Sequence, residues 1–314
     1  MTRSARRALG AGVVTSIGSL PHTSPALAAE AVLALHPQLP ALPELPSVHP
    51  SEGITDRWLG MSIEHGEFDP EAHGGFLAFL DAAAIAAPSA VKAQVAGPLT
   101  MGMALRARGV SPTEAFERGA EISAAAAHAV VAQLDRRLPS ADRVVFLDEP
   151  ALVAWVDGDA PLDREGAVDL LSGVLAQVDA VTGVHVCGAG DRRMAIEAGP
   201  DIVGFEVRPS IVDDGVAVAR YLDAGGWIAW GAVPTDRPVG DHADHWWNAL
   251  VALWCDLTRG GCDPAVLRTQ ALITPACGLA AHSVDQAESI LRLCVEIGER
   301  VREQAIATRL SVGA

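Results

Sequence analysis

Short apolar, β-branched runs recur along the chain, each followed by a turn signal and then a helical pattern. They are Val13–Ile17, Ala41–Leu45, Val91–Ala96, Val144–Leu147, Gly183–Cys187, Ile202–Val207, Trp227–Val233 and Ala271–Thr274. Runs this short and this uniformly apolar mark strands buried on both faces, and strands alternating with helices form parallel βα units. Eight such units in 314 residues predict an α/β fold, a single (β/α)8 TIM barrel, with an open doubly wound sheet as the alternative. No G-x-G-x-x-G follows the first run, which weakens a dinucleotide-binding reading. Two helix starts are well marked. Ser111-Pro112-Thr113-Glu114 reads as a capping box with Pro at the first helical position and predicts a helix to about Arg137. Ser283-Val284-Asp285-Gln286 is the Gln version and opens a last helix to about Ala305. Pro37–Pro50 holds five prolines and predicts an irregular connection. Residues 1–12 read as a flexible tail and 13–314 as one domain.

Charge narrows the partners. Lys and Arg number 23 against 39 Asp and Glu, a balance of −16 with neutral His, which argues against nucleic acid and anionic membrane surfaces. No apolar run reaches the ~18–20 residues of a membrane span. Arg3, Arg6 and Arg7 are followed by no apolar stretch of signal-peptide type, so none is expected. Five cysteines are too few for a disulfide scaffold and point to the reducing cytoplasm.

Ionisable residues gather at the C-terminal ends of the predicted strands, where barrels of this kind carry their chemistry. Asp148 and Glu149 end the fourth, His185 and Cys187 the fifth and Glu206 the sixth, while Cys277 lies just past the eighth. Residues two apart on a strand share a face, so the His185 imidazole and the Cys187 thiolate can meet one ion. Glu206 and Cys277 would complete a four-ligand set, and imidazole with soft sulfur favours zinc. The bland alternative is that these cysteines are small buried hydrophobes. Cys255, Cys262 and Cys294 fall in helical or turn segments and read as packing or surface thiols. His22, His242, His245 and His282 could line a mouth but read more readily as surface or capping residues.

Five motifs, in order, resemble the catalytic half of cobalamin-independent methionine synthase. They are Val14-Thr15-Ser16-Ile17-Gly18-Ser19-Leu20-Pro21, Lys92 through Gly97-Pro98-Leu99-Thr100, Phe146-Leu147-Asp148-Glu149-Pro150-Ala151-Leu152, His185-Val186-Cys187 with Glu206, and Thr274-Pro275-Ala276-Cys277-Gly278-Leu279. The resemblance runs from about residue 13 to 300. It implies a zinc-dependent methyltransferase acting on the thiol of homocysteine to give methionine, with zinc held by His185, Cys187, Glu206 and Cys277. It also implies that Ile17, Gly18 and Ser19 hold the amino-acid carboxylate and that Asp148 holds the ammonium. For the further Glu that the family places on the amino group, Glu44 is the choice, with Glu64 and Glu67 as rivals. Two departures bear on the methyl donor. The chain is long enough for only one of the family's two barrels, and Trp230 stands where the family carries a proton-relaying His. Both favour a methyl-corrinoid, free or on a corrinoid protein, over methyl-tetrahydrofolate. The rival enzyme class is the uroporphyrinogen decarboxylase-related zinc methyltransferases that act on thiols such as coenzyme M. The rival without turnover is a zinc- or thiol-binding barrel.

Overall fold

A computed structural model of the protein describes residues 9–59 and 68–312. Glu64, Glu67 and the first eight residues of the expected tail lie outside the described residues. In chain order the main elements are β1 (Val13–Val14), α1 (Pro25–Leu35), α2 (Gly74–Ala86), β2 (Ala90–Ala96), α3 (Pro98–Ala107), α4 (Pro112–Arg137) and β3 (Asp142–Asp148). There follow α5 (Arg164–Leu175), β4 (Val181–Val186), α6 (Arg192–Glu197), β5 (Ile202–Glu206), α7 (Gly215–Asp223) and β6 (Trp227–Val233). The chain closes with α8 (Asp244–Arg259), α9 (Pro264–Thr269), β7 (Ala271–Pro275) and α10 (Val284–Val312).

The strands form one seven-stranded sheet in the order β1-β7-β6-β5-β4-β3-β2, every pair parallel. Alternate residues of each strand pack on opposite sides. Val13, Ala90, Val144, Phe146, Val181, Ile202, Ala229 and Leu272 form one apolar cluster on the concave side. Val14, Val91, Val95, Val145, Leu147, Val184, Phe205, Ile228, Trp230 and Ile273 join the larger cluster beneath the helices. Burial on both faces explains why the strands read as continuous apolar runs without alternation.

Two of the eight expected strands are reduced. The first ends at Val14 instead of Ile17. The second, Ala41–Leu45, is present only as two isolated parallel bridges, Ala41 with Lys92 and Ser19 with Glu44. Its backbone still bonds to both sheet edges. Leu42 N donates to Lys92 O at 2.9 Å, and Glu44 N donates to Gly18 O at 3.0 Å. Pro40, Pro43 and Pro46 carry no N–H, so a continuous ladder cannot form there.

The two capping boxes part company. At α10, Gln286 N donates to Ser283 Oγ and Ser283 N donates back to Gln286 Oε1 at 3.2 Å. At α4 the Ser111 hydroxyl makes no cap bond, and Glu114 turns instead to Arg118 one turn on. Among the described residues no helix is long and apolar enough to cross a membrane.

Candidate metal centre

The polar ends of the strands converge on one cavity of about 390 Å³. Its walls include Ile17, Ser19, Glu44, Asp148, His185, Cys187 and Cys277. The strand register explains part of this gathering, since Asp148 of β3 stands directly beside His185 of β4. Cys187 follows β4 by one residue, and Cys277 lies in the turn after β7. That turn is tied to the end of β1: Leu279 N donates to Ser19 O at 2.8 Å. The Ser19 hydroxyl also occupies the place where a side chain at Gly278 would begin, so any larger residue beside Cys277 would force that hydroxyl to move.

A nitrogen of His185 and the sulfurs of Cys187 and Cys277 lie within 4.8 Å of one another. The two sulfurs are 3.9 Å apart. Two sulfurs held ~2.3 Å from one tetrahedral ion stand about 3.8 Å apart, so the spacing suits a shared metal. His185 is buried, and neither ring nitrogen has a hydrogen-bond partner. A buried polar group left unpaired costs about 1–3 kcal/mol, which a metal–nitrogen bond would remove. The thiols divide their protons unequally. Contact with Cys277 and burial push Cys187 up, whereas contact with Cys187 and the nearby imidazole draws Cys277 down towards thiolate.

Glu206, the expected fourth ligand, is not part of this group. Its carboxylate accepts from Arg208 instead, at 2.7 Å from Nε. An arginine two residues away on the same strand end offers a charge-assisted bond that the ligand pattern alone does not reveal.

Asp148 is buried, with Oδ1 unpartnered. Burial lifts its carboxyl to about 6, against the opposing pull of Lys92 and His185. Glu44 reaches the cavity too, but it is paired with Arg57, both side chains being nearly buried. Gln94 Nε2 donates to the same Glu44 oxygen at 2.8 Å. Beneath the cavity lies Lys92, fully buried, with Nζ donating to Ile17 O at 2.8 Å and to Gln94 Oε1 at 3.1 Å. Burial draws Lys92 down to about 8. Glu149 points away from the cavity and accepts from Leu99 N, Thr100 N and Thr100 Oγ, capping α3 from the neighbouring strand.

Arg57, Lys92, Gln94 and Glu149 are absent from the predicted set. For Lys92 and Gln94 a signal was present: two polar residues, two apart, interrupt the apolar run Val91–Ala96 on one face. Arg57 carries no such signal. Trp230 does not face the cavity. It packs outwards against Phe205 and Trp254, and the neighbouring inward position is Gly231, where a Cβ would stand 2.8 Å from Ala276 Cα. His22, His242 and His282 do not line the cavity either, and His282 Nε2 bonds Thr235 O.

No protein-family model and no curated protein matches the chain. Solved structures do. A B12-independent methionine synthase from Shewanella sp. W3-18-1, in complex with selenomethionine, superposes with a TM-score of 0.53 at 16% identity, over 73% of this chain and 68% of that one. A Listeria monocytogenes protein assigned to the vitamin B12-independent methionine synthases superposes at 0.46 and 16% identity, over 71% and 69%. The first of these likenesses establishes that the chain shares its fold with a B12-independent methionine synthase.

Proposed function

We propose that the protein is a zinc-dependent S-methyltransferase that carries a methyl group to the thiol of homocysteine, giving methionine. In this reading segment 40–45 closes the sheet into a (β/α)8 barrel of the methionine synthase type. One observation carries the reading: the His185, Cys187 and Cys277 cluster shares its cavity with the unpartnered carboxylate oxygen of Asp148. His185, Cys187 and Cys277 would hold the zinc, with Glu206 available if it leaves Arg208. Bound there, zinc supplies Lewis acidity that makes a thiol ionise near neutral pH, where a free thiol of pKa ~8.5 is only a few per cent thiolate.

The chain's own groups do the rest. Asp148 Oδ1 accepts from the substrate ammonium, and the free oxygen of Glu44 lies on the same wall. Ser19 and the amides of the Ile17–Ser19 turn receive the carboxylate. Together they fix the amino-acid end so that the sulfur arrives at the cysteine cluster. Among the described residues, no histidine other than the ligand His185 lines the cavity to protonate a leaving amine. A donor whose leaving group needs no proton, such as a methyl-corrinoid, therefore suits this site better than methyl-tetrahydrofolate. Ammonium recognition also separates homocysteine from coenzyme M, which has no ammonium group.

Protein purified without chelator is expected to hold about one zinc per chain, and a Cys187→Ala, Cys277→Ala double variant is expected to lose it. Calorimetry should show the zinc-loaded protein binding homocysteine with proton release near pH 7, and coenzyme M weakly or not at all. Full zinc retention by the double variant, or equal binding of the two thiols, would overturn the reading.

A further inference from the structure

Lys92 touches neither the cavity nor the cysteine cluster, yet it is fully buried and its ammonium is aimed at a single backbone carbonyl, that of Ile17. Its other contacts are Gln94 Oε1 and the face of Phe146, 4.8 Å away. A charge taken so far from water is costly, and nothing in the packing of a strand requires a lysine here. The consequence lies in the peptide that Lys92 grips. A trans peptide points its C=O and N–H in opposite directions. With the Ile17 carbonyl held towards Lys92, the Gly18 N–H is turned away from Lys92, between Ile17 and Ser19, which both line the cavity. Neither the Gly18 nor the Ser19 amide donates to any partner among the described residues. Gly18 takes a φ of +139°, and the Gln94 amide fills the place where a side chain would begin, so the turn is fixed from below by the same pair.

We infer that Lys92 is a positioning residue: by holding the Ile17 carbonyl it sets the Gly18 amide beside that of Ser19, whose own peptide is held by Glu44 N at Gly18 O, so that the two form a receptor for the α-carboxylate of the substrate. The inference rests on the proposed function and assigns to that site a means of choosing α-amino acids over simple amines. Lys92 itself makes no contact with the ligand.

The test compares homocysteine with 3-aminopropane-1-thiol, the same molecule without its carboxylate, on the zinc-loaded full chain. The unaltered protein is expected to prefer homocysteine. In Lys92→Met, homocysteine should bind about 10- to 100-fold more weakly, as for the loss of one charge-assisted contact. The aminothiol should bind as before or more tightly, because removing a cation near Asp148 favours an ammonium ligand. A merely structural defect would weaken both. A second measurement needs no variant: the Gly18 and Ser19 amide proton resonances should move downfield with homocysteine and not with 3-aminopropane-1-thiol. Equal binding of the two thiols by the unaltered protein would overturn the proposed function and this inference with it. A preference for homocysteine that Lys92→Met leaves unchanged, or amides that do not respond to it, would overturn the role of Lys92 alone.

Discussion

Asp148 and Glu149 are adjacent in sequence, both are buried, and they do different work. Glu149 has three donors, while Asp148 keeps one oxygen with none. A buried acceptor without a donor costs about 1–3 kcal/mol, which a ligand that supplies the donor recovers. Asp148→Asn should therefore weaken homocysteine by ~1.5–3 kcal/mol, the range for a hydrogen bond between charged groups, and leave an alkyl thiol nearly unaffected. Calorimetry with both ligands checks this, and equal losses would remove Asp148 from ammonium binding. His185, Cys187 and Cys277 were legible as a group because strand alternation and strand-end position are written in the spacing. The pairing of Glu206 with Arg208 was not, because two carboxylate positions that look alike in sequence differ only in which cation is nearer. Arg57 was missed for a similar reason: its partner Glu44 lies thirteen residues away and meets it only in the folded chain.

At the scale of elements, the end of β3 is locked to the start of α3. Gly97 N donates to Asp148 O at 3.0 Å, and Glu149 carries the first turn of α3 on its carboxylate. Gly97 has an ordinary extended φ of −74°, so its backbone would accept alanine. What forbids a Cβ is the Glu149 carboxylate, which already fills that space. Gly97→Ala should destabilise the protein by about 1–3 kcal/mol through overpacking. In a Glu149→Ala background the same change should cost almost nothing, since the obstacle is gone. Chemical denaturation of the two single variants and the double variant gives the coupling, and strict additivity would refute the lock. Helices α4 and α10 were legible from their first residues, but cap chemistry was only half so. Ser283 and Gln286 close their box, while Glu114 has Arg118 within reach and takes it.

For the whole molecule, periodicity gave parallel βα units and the order of the strands along the chain. It overstated the sheet, because an apolar run spaced by prolines reads as a strand but cannot donate like one. Acid stability is also a property of the whole fold. His36, at the end of α1, is buried, and burial holds its imidazole down at about 4 against the ordinary 6.5. The unfolded chain binds that proton first as pH falls, so this contribution to stability is intact above pH 6.5 and is lost on the way down to pH 4. It should amount to about 2 kcal/mol between pH 7 and pH 5. His36→Leu should remove that part of the acid sensitivity, which urea midpoints at the two pH values would register. An unchanged pH slope in the variant would show that His36 is not its source. Segment 40–45 has a different consequence. It is the join between the two edges of the sheet, held by few backbone bonds, and the cavity sits across it, with Ile17 and Ser19 on one side and Glu44 on the other. In the proposed reading an amino acid bound there would touch both sides of the join, acting as a clasp where only those few backbone bonds otherwise hold the two lips together.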